Sequence, residues 1–196
     1  MKFYRSPESF LKRGPKHGPR ILVGDIETFP MLVYAWRMFK ANIGKEQVVQ
    51  DVTMMSFGVK WKGQDDFFYD DMSKAKTLEE RRNDRHLAHA IRNILDGADF
   101  MVAHNGRKFD LRQIRSRCAQ NAVRPWSQVQ VIDTYELNKR AFDFSSQALG
   151  FVSPKFMPLE AAKSDHAQFP GFSLWRECLA GNKEAWRECK AYNCTD

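Results

Sequence analysis

Apolar and polar positions along the chain follow two periods, one typical of strands and one typical of helices. Apolar runs of strand length occupy residues 20–27, 31–39, 52–62, 67–69, 100–103 and 129–132. Short apolar runs bounded by turn residues indicate buried strands. The early runs follow one another with few helical signals between them, which favours an antiparallel meander at the start of the fold.

A helical period of apolar residues begins after residue 76 and returns near the end of the sequence. Residues 77–80 have the spacing of a capping box, and the apolar face that follows them stops at Gly97. Further helices are predicted at 111–122, 134–141, around Ser146, at 173–180 and from 183 onward. Residues 151–170 contain Pro154, Pro158 and Pro170 and are predicted to be irregular. The order of elements predicts an α/β fold, a mixed sheet flanked by helices.

The length of the chain fits one domain. Its 196 residues compare with roughly 100–200 residues for a typical domain. Residues 1–19 contain Pro7, Gly14-Pro15 and Gly18-Pro19, and their basic residues outnumber a single acid. We therefore predict a basic, flexible N-terminal arm over residues 1–19, which is either a solvated tail or a contact for phosphates. Residues 20–196 form the predicted domain.

The net charge narrows the class of partner. It is +7 at pH 7, which points to an anionic partner, and nucleic acid is the commonest one. The sequence has no apolar run near the ~20 residues that span a bilayer and no signal-peptide pattern. Its four cysteines lack zinc-finger spacing and are predicted to be reduced thiols. These features predict a cytoplasmic protein without a membrane partner.

Two carboxylates, Asp25 and Glu27, end an otherwise apolar strand. They lie two residues apart, so their side chains point to the same face of the strand. Neighbouring carboxylates repel each other and lose solvation unless a cation compensates. Oxygen ligands suit Mg²⁺ or Mn²⁺. The pair therefore indicates a divalent-metal site, although Asp-x-Glu also occurs by chance at strand ends.

The polar residues that follow each allow two interpretations. Asp110 begins a helix after the strand at 100–103 and a His-Asn-Gly turn, a position where an acid also favours the helix dipole. Tyr192 and Asp196 lie four apart and share a helical face, so the tyrosine is either packing or part of a site with Asp25. His104, in the turn, is predicted to be structural.

The motifs, taken in this order, resemble those of the DEDD superfamily of 3′–5′ exonucleases, in its tyrosine-bearing subgroup (DEDDy). The matching motifs are Asp25-Ile26-Glu27-Thr28, Asn105-x₃-Phe109-Asp110 and Tyr192-x₃-Asp196. The resemblance covers residues 20–196, and the chain looks closest to stand-alone, proofreading-like exonucleases of bacteria and phages. It implies an RNase H-like fold and the cytoplasm of a bacterial or phage-infected host cell.

The resemblance also implies a reaction and roles for the residues. Two divalent cations, Mg²⁺ or Mn²⁺, would be held by Asp25, Glu27, Asp110 and Asp196, with Asp25 shared by both. Tyr192 would position the attacking water, because a free tyrosine with a pKa near ~10 is a poor base at pH 7. In the family this last helix continues past the aspartate, so we expect a natural chain that extends beyond Asp196.

The substrate is predicted to lie on residues that flank the acids. Thr28, Phe29, Asn105 and Phe109 are the candidates beside the motifs. The two phenylalanines either stack a base or brace the strand ends, and core packing is favoured for Phe109. The basic residues of the second-motif helix either hold phosphates or form a solvated face: Arg107, Lys108, Arg112, Arg115, Arg117 and Arg124. Leu174, Trp175 and Trp186 are predicted to be core.

These inferences predict a metal-dependent 3′–5′ exonuclease that acts on single-stranded 3′ ends and releases nucleoside 5′-monophosphates. DNA is favoured over RNA as the substrate. One alternative is a 3′–5′ exoribonuclease with the same carboxylates. The other is a catalytically inactive nucleic-acid-binding module. A replication or repair protein is a further candidate partner.

Overall fold

The computed structural model describes residues 2–158 and 166–195. Within those ranges the strands are β1 (Ile21–Phe29), β2 (Leu32–Val33), β3 (Val48–Gln50), β4 (Thr53–Trp61), β5 (Phe67–Asp71), β6 (Phe100–Ala103) and β7 (Gln130–Asp133). The helices are α1 (Pro7–Lys12), α2 (Leu78–Arg81), α3 (Arg85–Asp96), α4 (Asp110–Gln120), α5 (Thr134–Ala141), α6 (Leu149–Phe156), α7 (Ser173–Ala180) and α8 (Lys183–Thr195). In the described ranges, none of these helices is both long and apolar enough to cross a membrane.

The main sheet is mixed, with β1 in the middle. Its described strands have the order β5-β4-β1-β6-β7. β4 and β5 continue from β1 as antiparallel neighbours, while β6 and β7 run parallel to β1 on its other side. Parallel strands need crossovers, and α3 provides the one that precedes β6 while α4 provides the one that precedes β7. The predicted α/β mixed sheet with an antiparallel meander is therefore confirmed.

The two faces of β4 carry different side chains because successive strand residues point to opposite faces. Phe57 packs against Phe68, and Trp61 stacks on Phe10 with ring centroids 4.9 Å apart. Ser56 and Gly58 point to the other face, against α8. A Cβ at Gly58 would lie 3.3 Å from the backbone oxygen of Asn193, which is tighter than ordinary contact. Glycine thus lets α8 approach the sheet closely.

Part of the segment of residues 1–19, for which a flexible arm is predicted, packs on the core. Ser6 caps α1 and forms a capping box with Ser9. Phe10 is fully buried, and its backbone oxygen accepts a hydrogen bond from the Trp61 indole. Phe3 forms a bridge with Phe67 at the edge of β5. Burial of Phe10 thus holds α1 against the core, while Gly14-Pro15 and Gly18-Pro19 lie in turns and irregular backbone.

The strand predicted at 31–39 is reduced to the two residues of β2, which pair with β3 outside the main sheet. Pro30 separates β1 from β2 and offers no N–H for a ladder. Residues 34–44 form an irregular loop with exposed side chains. Their apolar composition matches that of a strand, yet no neighbouring strand among the described residues covers them.

Residues 151–170 were predicted to be irregular, but α6 extends to Phe156 and includes Pro154. Pro154 removes one backbone hydrogen bond from a helix of eight residues. Val152 and Ser153 on the same helix are buried. Packing of this face outweighs the local preference of proline, since tertiary contacts supply most of the stability of short helices.

A buried ion pair connects the start of α3 with α4 and β4. Arg117 Nε and Nη2 donate to the two oxygens of Asp84 at 2.6 and 2.8 Å. Asp84 also accepts from the Met54 N–H at 2.7 Å and from the Asn121 amide at 2.8 Å. Arg117 is therefore a structural residue, and the suggestion that it belongs to a phosphate-binding or solvated face was wrong.

Candidate active site

Asp25 and Glu27 lie on the face of β1 that α7 and α8 cover. The partner of Asp25 in β4 is Gly58, and the partner of Glu27 is Ser56. Asn193 Nδ2 on α8 donates to Asp25 Oδ2 at 3.1 Å, and Asn193 Oδ1 accepts from the Ser56 hydroxyl at 3.4 Å. Because Asn193 is buried, this bond holds the Asp25 carboxylate in one orientation. A cleft of about 520 Å³ opens beside Asp25, between the sheet, α6 and α8.

Glu27 connects to an aromatic cluster that includes Tyr192. The Trp175 indole N–H donates to Glu27 Oε2 at 3.2 Å. The rings of Trp175, His166 and Tyr192 contact one another edge to face, with centroids 5.0–6.5 Å apart. His166 Nδ1 lies 2.7 Å from the backbone oxygen of Phe169. Tyr192 therefore lies on the Glu27 side of the site, one ring away from that carboxylate.

Asp110 brings a further carboxylate to Asp25 from the first residue of α4. Pairing of β1 with β6 stops at Val23, which leaves the Ile26 N–H on that edge available. Asp110 Oδ1 accepts this N–H at 3.2 Å. The Asp25 side chain is within hydrogen-bond reach of Asp110. The two carboxylates thus meet although they are 85 positions apart in the sequence (110 − 25).

Burial raises the pKa of Asp110 from 3.8 to about 6, and the negative charge of Asp133 adds to this rise. Hydrogen bonds from its own N–H, from the Ile26 N–H and from Asp25 lower the pKa in part. Among the described residues, the groups that shift this pKa include no cationic side chain. Ionised Asp110 is therefore costly in the protein alone, and a nearby cation would relieve that cost.

Asp133, at the end of β7, fixes the turn that leads to Asp110. Its carboxylate accepts the N–H groups of Asn105 at 2.9 Å and Arg107 at 3.0 Å, and it caps α5 through the Tyr135 N–H. Asn105 has φ of 64°, a left-handed conformation that asparagine tolerates better than most residues. His104 contacts the Thr134 hydroxyl and the Gln147 backbone oxygen at 3.0 and 2.8 Å. These contacts hold His104 at the turn, where it also lines the cleft beside Asp25, and its structural role stays a prediction.

The carboxylates suit hard divalent cations, which prefer oxygen ligands. Asp25 and Asp110 meet directly, and Glu27 shares the face of β1 with Asp25. Asp196, the remaining predicted ligand, lies outside the described residues. Within residues 2–158 and 166–195, no cluster of three or more acidic, histidine or cysteine side chains has the geometry to hold a metal. The donor chemistry at Asp25 and Asp110 nevertheless fits Mg²⁺ or Mn²⁺.

The residues predicted to contact substrate separate into buried and exposed ones. Phe29 is 0% exposed and packs between Trp186 and Arg82, so it braces the core and offers no surface for stacking. Phe109 is 39% exposed, against the core packing favoured for it. Thr28 lies at an irregularity in the pairing of β1 with β4. Arg112 and Arg115 are exposed on α4.

Sequence reasoning missed three residues that shape the site. Asn193, Trp175 and Asp133 hold Asp25, Glu27 and the turn before Asp110. Trp175 was assigned to the core, as were Leu174 and Trp186, which are buried. The position of Asn193 directly after Tyr192 was a usable signal, because one of the two interpretations of Tyr192 placed its helix in a site with Asp25. Asp133 precedes Thr134 at a strand-to-helix junction, where an acid is a common helix cap.

Comparison with known proteins places this arrangement in a superfamily. Residues 46–196 match the family model RNase_H_2, described as RNase_H superfamily. The match covers more than half of the sequence, so the chain belongs to the RNase H superfamily. β1, with Asp25 and Glu27, precedes the matched range. No curated protein matches the chain.

A solved structure with a similar fold is that of the family B DNA polymerase from the hyperthermophilic archaeon Pyrobaculum calidifontis. The TM-score is 0.60 and the sequence identity is 14%. The alignment covers 94% of this chain and 24% of the polymerase chain, so the protein spans about a quarter of that structure. At this identity the likeness shows the fold. The superfamily and the fold together confirm the RNase H-like architecture and support a nuclease.

Proposed function

We propose that the protein is a metal-dependent 3′–5′ exonuclease of the DEDDy type that acts on single-stranded DNA ends. The observation that carries the proposal is the bond from the Ile26 N–H to Asp110 at 3.2 Å, which places this carboxyl group beside Asp25 on the central strand of an RNase H-like sheet. Burial makes ionised Asp110 costly and raises its pKa to about 6, and buried carboxyl groups of this kind are tolerated where a cation is to be bound. Phosphodiester hydrolysis uses such a site.

Asp25, Glu27, Asp110 and Asp196 are the residues that would hold two divalent cations, Mg²⁺ or Mn²⁺. Bound there, the cations would supply the activation of a water and the stabilisation of the leaving 3′-oxygen. The chain's own residues fix the geometry: Asn193 orients Asp25, Trp175 orients Glu27, and the Ile26 N–H orients Asp110. The Tyr192 hydroxyl would position the attacking water through a hydrogen bond. The released product is a nucleoside 5′-monophosphate.

A digestion assay tests the proposal. DNA and RNA strands labelled at the 5′ end are incubated with the protein in Mg²⁺, in Mn²⁺ and in chelator. We expect shortening from the 3′ end, with DNA preferred and with no product in chelator. Preference for RNA would assign an exoribonuclease. Binding without any product under all conditions would overturn the enzyme assignment and leave a nucleic-acid-binding module.

Tyr192→Phe is expected to lower kcat by about 10- to 100-fold while KM changes little. The phenyl ring still packs against His166 and Trp175, whereas the hydroxyl that positions the water is lost. Steady-state kinetics on a single-stranded oligonucleotide measure both constants. Tyr4→Phe is the matched control, because Tyr4 packs on Phe10 away from the site. A variant with unchanged kcat and a lower melting temperature would reduce Tyr192 to a packing residue.

Charge reversal of Arg112 or Arg115 is expected to weaken single-strand binding and to flatten its salt dependence. Each phosphate contact contributes a slope of about 0.7 in log Kd against log salt for single strands. Binding titrations at several salt concentrations in chelator measure the slope without cleavage. Lys62→Glu, in the turn after β4, is a control of equal charge change at the opposite end of β1. Equal salt slopes for all three variants and the wild type would show that Arg112 and Arg115 belong to a solvated face of α4 and do not contact phosphates.

A further inference from the structure

The loop of residues 34–44 is the most exposed apolar surface in the described part of the protein. Trp36 is 98% exposed, Met38 is 88% exposed and Phe39 is 79% exposed. Soluble proteins seldom leave neighbouring large apolar side chains uncovered unless they contact something. We infer that the loop binds single-stranded nucleic acid beyond the catalytic site, with Trp36 and Phe39 stacking on bases and Arg37 and Lys40 contacting phosphates. The inference rests on the proposed function for its choice of substrate.

The base of the loop is fixed, so its exposed side chains have a defined location. The Tyr34 N–H donates to the Gln47 backbone oxygen at 2.9 Å, and Gln47 Nε2 donates to the Tyr34 backbone oxygen at 2.8 Å. Gln47 Oε1 accepts the Gly44 N–H at 2.9 Å. β2 and β3 pair directly below these bonds. The loop of residues 34–44 therefore projects from a base that is held by hydrogen bonds. Less conformational entropy is lost when a ligand binds to a loop whose base is already fixed.

The projection begins at the end of β1 that carries the carboxylates. Glu27 is two residues before Phe29, which pairs with Thr53 at the start of β4. The loop connects these two strand ends, whereas the turn at Lys62 lies at the other end of both strands. A strand whose 3′ end enters the carboxylate site can thus continue toward the loop. This location favours a contact with the substrate over a contact remote from the reaction.

The positive charge of the loop of residues 34–44 favours a nucleic acid over a protein as its partner. No aspartate or glutamate occurs between Glu27 and Glu46, while Arg37 and Lys40 each follow an aromatic residue directly. The centres of protein interfaces are depleted in charge, but single-strand binding surfaces combine aromatic rings with cations. Rings stack on bases of any sequence, and cations contact the phosphates between them. The alternation in residues 36–40 matches this requirement.

The test measures binding of fluorescein-labelled oligo(dT) by anisotropy in chelator, where cleavage is absent. Strands of about 4 and about 24 nucleotides are compared, because single-strand sites span ~4–16 nucleotides. In the Trp36→Ala/Phe39→Ala variant we expect the long strand to bind about tenfold more weakly and the short strand to bind within about twofold of wild type. Met38→Ala is the matched control, since Met38 is equally exposed and has no ring.

The Arg37→Ala/Lys40→Ala variant tests the electrostatic part of the inference. We expect the salt slope for the long strand to fall by about 1.4, the contribution of two phosphate contacts. Lys62→Ala is the charge control. Unchanged affinity of the Trp36→Ala/Phe39→Ala variant for the long strand overturns the inference. If the wild type also self-associates and the Trp36→Ala/Phe39→Ala variant does not, the loop is a contact between two copies of the protein instead. Absence of cleavage by the wild type in Mg²⁺ or Mn²⁺ overturns the proposed function instead. The binding measurements, which are made in chelator, still decide whether the loop binds single-stranded DNA.

Discussion

Asp110→Asn is expected to reduce cleavage to the background of the assay, a fall of at least about 10³-fold. The amide oxygen can still accept the Ile26 N–H, so the local structure is kept. The negative charge that would face a cation beside Asp25 is lost. Turnover of a labelled single strand in saturating Mg²⁺ or Mn²⁺ measures the loss. Asp25→Ala is expected to have an effect of the same size.

The same substitution is expected to stabilise the metal-free protein at neutral pH. The pKa of Asp110 is 3.8 ordinarily and about 6 in the folded protein. The folded state therefore keeps the proton that the unfolded state loses between these values, and wild-type stability falls as pH rises through this window. Above pH 6 the full penalty applies, up to about 3 kcal/mol. Asparagine has no such penalty, so its advantage grows from pH 4 to pH 6 and is then constant.

Urea unfolding at pH 4 and pH 7.5, in chelator, measures this difference. Asp65→Asn is the control, because Asp65 is exposed in the turn between β4 and β5. Its activity and its stability are expected to match the wild type. Cleavage by Asp110→Asn at the wild-type rate would contradict the site assignment. Equal stability gains at both pH values would contradict the cause given for the raised pKa.

Arg117→Ala is expected to destabilise the protein by about 3–5 kcal/mol. The substitution leaves Asp84 buried without its cation, while the Met54 N–H and the Asn121 amide still donate to it. For a protein of this size such a loss shifts the melting temperature by roughly 6–20 °C. Urea unfolding and calorimetry measure it. Activity at low temperature is expected to persist, since Arg117 bonds Asp84 and none of the contacts described for it involves Asp25 or Asp110.

Arg115→Ala provides the comparison on the same helix, because Arg115 is exposed and stacks only on Trp126 among the contacts described for it. A change within about 0.5 kcal/mol is expected there. The Asp84→Asn/Arg117→Met double variant should recover part of the loss, because it leaves no unpaired charge in the interior. Equal stability of the two single arginine variants would show that the buried pair contributes little.

The sequence was sufficient where local signals and tertiary packing agree. β1 is apolar before its carboxylates, α5 begins with Asp133 as its cap, and α7 ends at Gly181 with φ of 86°. Each boundary is set by residues within a few positions, so pattern alone located it. The fold class followed from the order of such elements.

The sequence was insufficient where a distant partner decides the outcome. Residues 34–44 have the composition of a strand but no sheet neighbour among the described strands, and α1 is held by Trp61 rather than by its own propensity. Arg117 lies in a helix with exposed arginines, and its pairing with Asp84, 33 positions earlier, is what buries it. Asn193 likewise has a role in the site only because it donates a hydrogen bond to Asp25, a residue far away in the sequence. The period of apolar and polar positions along the chain does not reveal such pairings between distant residues.

The bond between Asn193 and Asp25 joins positions 168 apart, and the bond between Ile26 and Asp110 joins positions 84 apart. Ordering the intervening chain is costly in entropy, so contacts of this span form late in folding. A chain in which α8 is not docked lacks the bond from Asn193 to Asp25 and therefore lacks an assembled site. On the proposed function, competence for cleavage therefore depends on the docking of this one helix, whose Ala185, Trp186 and Cys189 are also part of the core, so the site and the core are completed together.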